Sequence, residues 1–141
     1  MPCLPARLLA QCGIDLDTHR GEIASGNLSS LRGCPFVLGS AEDIGGRIGR
    51  GLLRSSGVSP VSKATSENVE TLLALCEQGV GACFCPENLL HTALSPEQLA
   101  HLHILPLCPE ASYPICFGYL SRSYPWSMLS EFIRIAREQT A

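Results

Sequence analysis

Apolar and polar positions follow their clearest rhythm between Thr65 and Glu87, TSENVETLLALCEQGVGACFCPE. Val69, Leu72, Leu73 and Cys76 recur at helical spacing, and at ~100° per residue they fall within one arc of roughly 100°. Glu67, Glu70 and Glu77 lie outside that arc, so the spacing predicts a helix with one buried face and one wet face. Ser66 offers a hydroxyl where such a helix needs an N-cap. Gly79 follows the last apolar turn, where a left-handed residue ends a helix without a Cβ penalty. Val80 to Phe84 is an apolar run of strand length, and Pro86 closes it and can open another helix. A helix that feeds a short buried strand through one glycine is an αβ unit of an open sheet.

The rest of the chain repeats this alternation. Leu8, Leu9 and Cys12 share a face, predicting a helix from Pro5 to Cys12 that Gly13 ends, while Asp15 to Asn27 is polar and reads as a loop. Ser29 to Arg32 is a short helical turn, and Pro35 to Leu38 is a strand apolar on both faces, as in a parallel sheet. A helix follows from about Ala41 to Arg54. Its Gly45, Gly46, Gly49 and Gly51 each cost up to ~1 kcal/mol in propensity, so packing must hold it. Gly57 stops that helix, and Val58 to Lys63 is the next strand. Beyond Pro86 come a helix to Ala93, a short one capped at Ser95-Pro96, strands at His103–Leu107 and Pro114–Leu120, and a last helix from Trp126 to Gln139. On that helix Trp126, Leu129, Phe132, Ile133 and Ala136 share one face. Strands alternating with helices predict an α/β fold with a mostly parallel sheet.

Three stretches together resemble the effector-sensing domain of LysR-type transcriptional regulators. The first is S-x-x-x-E-x-L-x-A-L-x-x-x-G-x-G-x-x-x-x-P, Ser66 to Pro86. The second is Leu28 to Leu38, similar to the family's lead-in helix and strand, and the third is Tyr113 to Gln139, similar to its closing strand and last helix. The resemblance spans about 28–139. It implies a type II periplasmic-binding-protein-like fold with two α/β subdomains, two crossovers and a small-molecule cleft between them. Residues 1–27 would be a crossover or lead-in segment, 28–107 the second effector-binding subdomain, and 108–141 the return strand and C-terminal helix of the first. The chain then holds one complete subdomain and part of another. The winged helix-turn-helix, the linker helix and the opening strands have no counterpart in it, so it reads as an N-terminally truncated member that does not bind DNA alone.

Composition narrows the classes. The 141 residues are 45% apolar and 16% charged, with thirteen glycines and ten prolines, which suits one globular domain. No apolar run approaches the ~20 residues of a membrane span, and MPCLPARLLAQCG lacks a signal peptide's basic start and unbroken core. Net charge is −3 and the pI about 5.8, where a chain that grips DNA by itself shows a basic patch. The densest basic group, Arg47, Arg50 and Arg54, lies on a helix face opposite Ile44, Ile48 and Leu52 and reads as solvated. Eight cysteines would suggest disulfides in a secreted chain. With no export signal, they read as reduced thiols in a cytoplasm.

Candidate chemistry is sparse. Gly39-Ser40-Ala41-Glu42 follows a strand and opens a helix, so Ser40 and the free N–H groups behind it either cap the helix or face an anion. In the resembled family this loop lines the effector cleft. Thr65, Ser66 and Glu67 open the next helix in the same way. Gly81, Ala82 and Cys83 are small enough to admit a ligand or a neighbouring backbone. The ligand-binding set is therefore Gly39, Ser40, Ala41, Thr65, Ser66, Glu67, Gly81, Ala82 and Cys83, facing a small organic, anionic effector. Cys83-x-Cys85 and His101-x-His103 lack usual zinc spacing, and Cys85 with His91 has neither an oxyanion hole nor an orienting acid. No Walker loop, HExxH or G-x-S-x-G occurs. The reading is of a non-enzyme without cofactor or metal, a homo-oligomer with no membrane partner. A transport solute-binding module of the same fold and a non-functional truncated fragment are the alternatives.

Overall fold

The computed structural model describes the chain except residues 109, 110, 115, 117, 119, 121–125 and 141. The order is β1 (Pro2–Pro5), α1 (Ala6–Cys12), α2 (Leu16–Ala24), a 3-10 turn (Ser29–Leu31), β2 (Pro35–Leu38), α3 (Ile44–Ser55), β3 (Val61–Thr65), α4 (Val69–Glu77), β4 (Cys83–Phe84), α5 (Glu87–Ala93), α6 (Pro96–Leu99), β5 (Leu102–Ile104) and α7 (Ser127–Thr140). β2 and β3 pair in parallel, from Pro35 opposite Val61 to Leu38 opposite Thr65. A parallel bridge from Phe36 to Ala82 brings β4 to the other side of β2. Val37 N–H donates to the Ala82 carbonyl at 2.9 Å, and Ala82 N–H to that of Pro35 at 2.9 Å. β1 then pairs antiparallel with both β4 and β5. A three-stranded sheet, β4-β1-β5, and a two-stranded one, β2-β3, are thus joined through the Phe36–Ala82 bridge, giving the strand sequence β3-β2-β4-β1-β5.

The sheet is thus mixed, where a mostly parallel one was expected. The antiparallel pairs both come from β1, which the sequence conceals. Pro2 and Pro5 bound it, and proline discourages a strand assignment because it cannot donate to a ladder. Here both stand at strand ends, while Met1 and Cys85 exchange backbone hydrogen bonds of 2.6 and 2.9 Å across the junction with β4. The segment expected to lead into the domain supplies a strand of its sheet.

Period-two alternation explains how both faces are covered. Leu4, Phe36, Leu38 and Ala82 enter one buried cluster with Leu8, Leu9, Ile23, Leu31 and Leu53, from α1, α2, the 3-10 turn and α3. Cys3, Val37, Cys83 and Cys85 enter a second with Leu72, Leu73, Cys76 and Leu90, from α4 and α5. Helices on both faces of one sheet make a three-layer α/β domain.

Several boundaries differ from expectation. α2 occupies part of the stretch read as a loop. Its buried residues are Leu16 and Ile23, seven apart, so two apolar positions carry its inner face and the periodic signal is faint. Asp15 caps it, accepting from Asp17 N–H at 3.2 Å and from the Thr18 hydroxyl at 2.6 Å. α3 turns glycine rather than isoleucine toward the sheet: Gly46, Gly49 and Leu53 are buried, whereas Ile44 is exposed. A β-carbon on Gly46 would collide with the Ser40 carbonyl oxygen, so the missing side chain sets how closely α3 meets the loop after β2. Gly13, Gly57 and Gly79 end α1, α3 and α4 at φ 67°, 67° and 77°, as expected. The strand expected at 114–120 falls on a stretch whose residues 115, 117 and 119 lie outside the described ones. α7 presents Trp126, at its start, and Phe132 68% and 50% exposed.

Candidate functional site

Because β2, β3 and β4 run in one direction, their carboxyl ends lie along one edge. The strand-to-helix corners at Gly39–Asp43, Thr65–Asn68 and Cys85–Glu87 therefore open on the same side. The first two are locked together. Leu38 pairs with Thr65, and Ser66 N–H donates to the Leu38 carbonyl at 3.2 Å.

Neither serine is the helix cap that the sequence suggests. Asp43 caps α3, its carboxylate accepting from Gly46 N–H at 3.0 Å. Asn68 caps α4, its amide oxygen accepting from Thr71 N–H at 3.0 Å. Each serine sits two or three residues earlier. The Ser40 hydroxyl oxygen accepts from Asp43 N–H at 3.2 Å, and that of Ser66 from Asn68 N–H at 3.1 Å. Asn, Asp and Ser cap almost equally well, so two cappers two or three residues apart leave the sequence ambiguous. Both hydroxyls accept in these bonds and keep a proton to donate. Ser40 and Ser66 are half-buried, and Ala41, Thr65 and Glu67 are exposed.

Gly81, Ala82 and Cys83 do something else. A β-carbon on Gly81 would lie 2.7 Å from the Phe36 carbonyl carbon, so glycine permits two strands to touch. Ala82 and Cys83 are fully buried, one in each cluster. These three pack β4 against β2 and offer a ligand no surface.

Arg50 was expected on a solvated face with Arg47 and Arg54. Those two are exposed, but Arg50 is half-buried, and its Nη2 donates to the Gly39 carbonyl at 3.0 Å. Its Nε is buried without a hydrogen-bond partner.

Hollows flank the corners. One of about 300 Å³ lies between Met1, Pro86, Glu87, Leu107 and Tyr113, and a smaller one of about 60 Å³ continues it toward Gly45 and Ile48 in the first turns of α3. A third, of about 340 Å³, separates the start of α4 at Glu67–Glu70 from Leu89 and Thr92 of α5. Of the expected ligand residues, Glu67 lines the third, and none lines the other two.

Three of the thiols, Cys34, Cys83 and Cys85, are held protonated more firmly than a free cysteine, which disfavours them as nucleophiles at neutral pH. Hydrogen bonds with Cys3 and Cys76, together with burial, push the Cys83 thiol well up. Burial pushes Cys85 and Cys34 up to about 12. Cys3, which faces Cys83 across β1 and β4, is lowered by the hydrogen bond from Cys83. Cys85 donates to the Pro86 carbonyl at 3.2 Å, while His91 is exposed. Among the described residues no group of three His, Cys, Asp or Glu side chains is placed to hold a metal ion. No described helix is long and apolar enough to cross a membrane.

An α/β domain with its strand-to-helix corners gathered on one carboxyl edge has the layout in which open sheets bind small ligands. The family model of the LysR substrate binding domain matches residues 19–141, and the chain belongs to that family. The family carries a type II periplasmic-binding-protein-like fold and binds small-molecule effectors in transcriptional regulators. No curated protein and no solved structure matches the chain.

Proposed function

We propose that this chain senses a small organic effector at the edge formed by the Gly39–Asp43 and Thr65–Asn68 corners, as the regulatory part of a LysR-type regulator. The observation that carries this reading is the junction at Leu38. Its pairing with Thr65, and the Ser66 N–H on its carbonyl, hold the two corners side by side. Ser40 and Ser66 each keep a hydroxyl proton to donate, which suits a ligand rich in acceptor oxygens, such as a carboxylate. The contact set is then Gly39, Ser40, Ala41, Thr65, Ser66 and Glu67.

In this reading residues 28–107, with β1 threaded into their sheet, form the second effector-binding subdomain, and residues 108–141 belong to the first. The regulator works in the cytoplasm as a homo-oligomer and performs no catalysis. DNA recognition lies outside these 141 residues, in keeping with the net charge of −3.

Thermal shift across a set of small organic acids and neutral compounds, followed by calorimetry of the compound that stabilises most, tests the reading. Ser40→Ala and Ser66→Ala should each weaken that compound by roughly 0.5–1.5 kcal/mol, the range for one modest hydrogen bond. Unchanged binding by both variants, each melting with the parent, would move the site elsewhere.

A further inference from the structure

The charge that holds an anionic effector cannot come from the two helix starts. Asp43, the cap of α3, already sets its own carboxylate on that helix start, while at α4 the Asn68 cap takes the Thr71 N–H and Glu70 stands in the first turn. A carboxylate at a helix N-terminus answers the helix dipole and repels a second anion. Glu42, Glu67 and Glu70 add further negative charge on exposed positions beside the corners.

One cation stands at the first corner. The Arg50 guanidinium reaches back along α3 to the Gly39 carbonyl, one residue from Ser40. That contact uses one of its five N–H donors. Its Nε is buried with no acceptor, and among the described residues no carboxylate lies within ion-pair distance of it. A half-buried cation without a counter-ion has lost part of its hydration and received no charge in return. Arg47 and Arg54 on the same helix remain in water.

We propose that Arg50 is the residue that reads the effector's charge, its guanidinium pairing with a carboxylate that also accepts from the Ser40 hydroxyl. The assignment rests on the effector reading above and adds to it the class of ligand, an organic acid. A carboxylate supplies the missing counter-ion and matches the fork of N–H donors, which an amide or alcohol does not.

Succinate and its uncharged counterpart succinamide are the probes, titrated at millimolar concentration into isotope-labelled protein. The Arg50 Nε–Hε signal and the amides of Gly39, Ser40 and Ser66 are followed. Succinate should move them saturably, and succinamide should bind about tenfold or more weakly. Arg50→Gln should bring succinate down to the succinamide level, and Arg50→Lys should keep part of the difference. A loop merely loosened by the substitution would weaken both probes alike, so the ratio between them is the decisive quantity. Equal binding of the two probes by the parent overturns the assignment, as does undiminished succinate binding by an Arg50→Gln variant with the parent melting temperature. If neither probe moves the Arg50 signal, the assignment also falls. In that case neutral compounds that still shift the Ser40 and Ser66 amides leave the effector reading standing, whereas silence of both corners toward every compound removes that reading too.

Discussion

Gly49 of α3 lies against the ring of Phe84, and a β-carbon there would stand 2.6 Å from Cδ2 of that ring. Phe84 in turn stacks on Phe36, with centroids 6.1 Å apart and planes 4° from parallel. The glycine therefore decides how near the helix comes to β2 and β4, and so where the corner at Ser40 sits.

Gly51, two residues further along α3, is exposed with nothing within 4 Å of a β-carbon. The pair separates propensity from packing. Gly51→Ala should stabilise by up to ~1 kcal/mol, because alanine suits a helix interior better. Gly49→Ala receives the same gain but must displace a stacked ring, at a cost of roughly 1–3 kcal/mol, and should destabilise on balance. Urea denaturation of both variants checks this. Equal stabilisation would mean that the ring yields freely.

The caps give a second test. Asn68→Ala should lower stability by about 1 kcal/mol, since the side chain that satisfies Thr71 N–H is lost. Asn68→Ser should cost little, because serine caps almost as well. Ser66→Ala should cost less than Asn68→Ala, its hydroxyl serving a residue outside α4. The ordering of the three midpoints is the measurement, and a larger loss at Ser66 would restore the serine as the working cap.

These corners also show how far the sequence could be read. α4 was legible because four apolar residues share its inner arc and glycine ends it, and the order from β2 to α5 followed from the same logic. β1 was hidden by its prolines. α2 was hidden because its buried contacts, Leu16 and Ile23, are two helical turns apart with polar residues and Gly21 between them. Helical spacing puts Arg50 on a wet face because it places a Cα and says nothing of where a long side chain turns. Its bond to Gly39 depends on how the loop after β2 folds back over Gly46, a tertiary fact.

Association is the third expectation. α7 and the residue before it expose Trp126, Met128 and Phe132 at 68%, 80% and 50%, more apolar surface than scattered single residues usually present. Sedimentation at tens of micromolar should show self-association, with ~1.5–3 kcal/mol gained for each such side chain that becomes buried. Trp126→Ser with Met128→Gln should shift the protein toward monomer without lowering its melting temperature. A compact monomer of the parent at that concentration contradicts the expectation.

The fourth expectation concerns alkaline pH. The Cys34 and Cys85 thiols titrate near 9 in an unfolded chain and about 12 in the fold, because burial disfavours the thiolate. Below pH 9 both states keep these protons, and the contribution to stability is intact. Above it the unfolded chain releases protons that the folded chain retains, so the unfolded state binds fewer and stability falls as pH rises. The loss continues until the folded thiols themselves ionise near 12. Its slope approaches ~1.4 kcal/mol per pH unit for each thiol. Other groups also ionise at alkaline pH, so the parent's curve alone does not isolate the effect. Cys34→Ala with Cys85→Ala does, because it removes the two thiols and leaves the other groups in place. Urea midpoints compared between about pH 8 and about pH 10 should fall less in the double variant than in the parent, whatever stability the substitutions cost at the lower pH. Parallel curves for the two proteins would show that both thiols ionise in the fold as readily as in the unfolded chain.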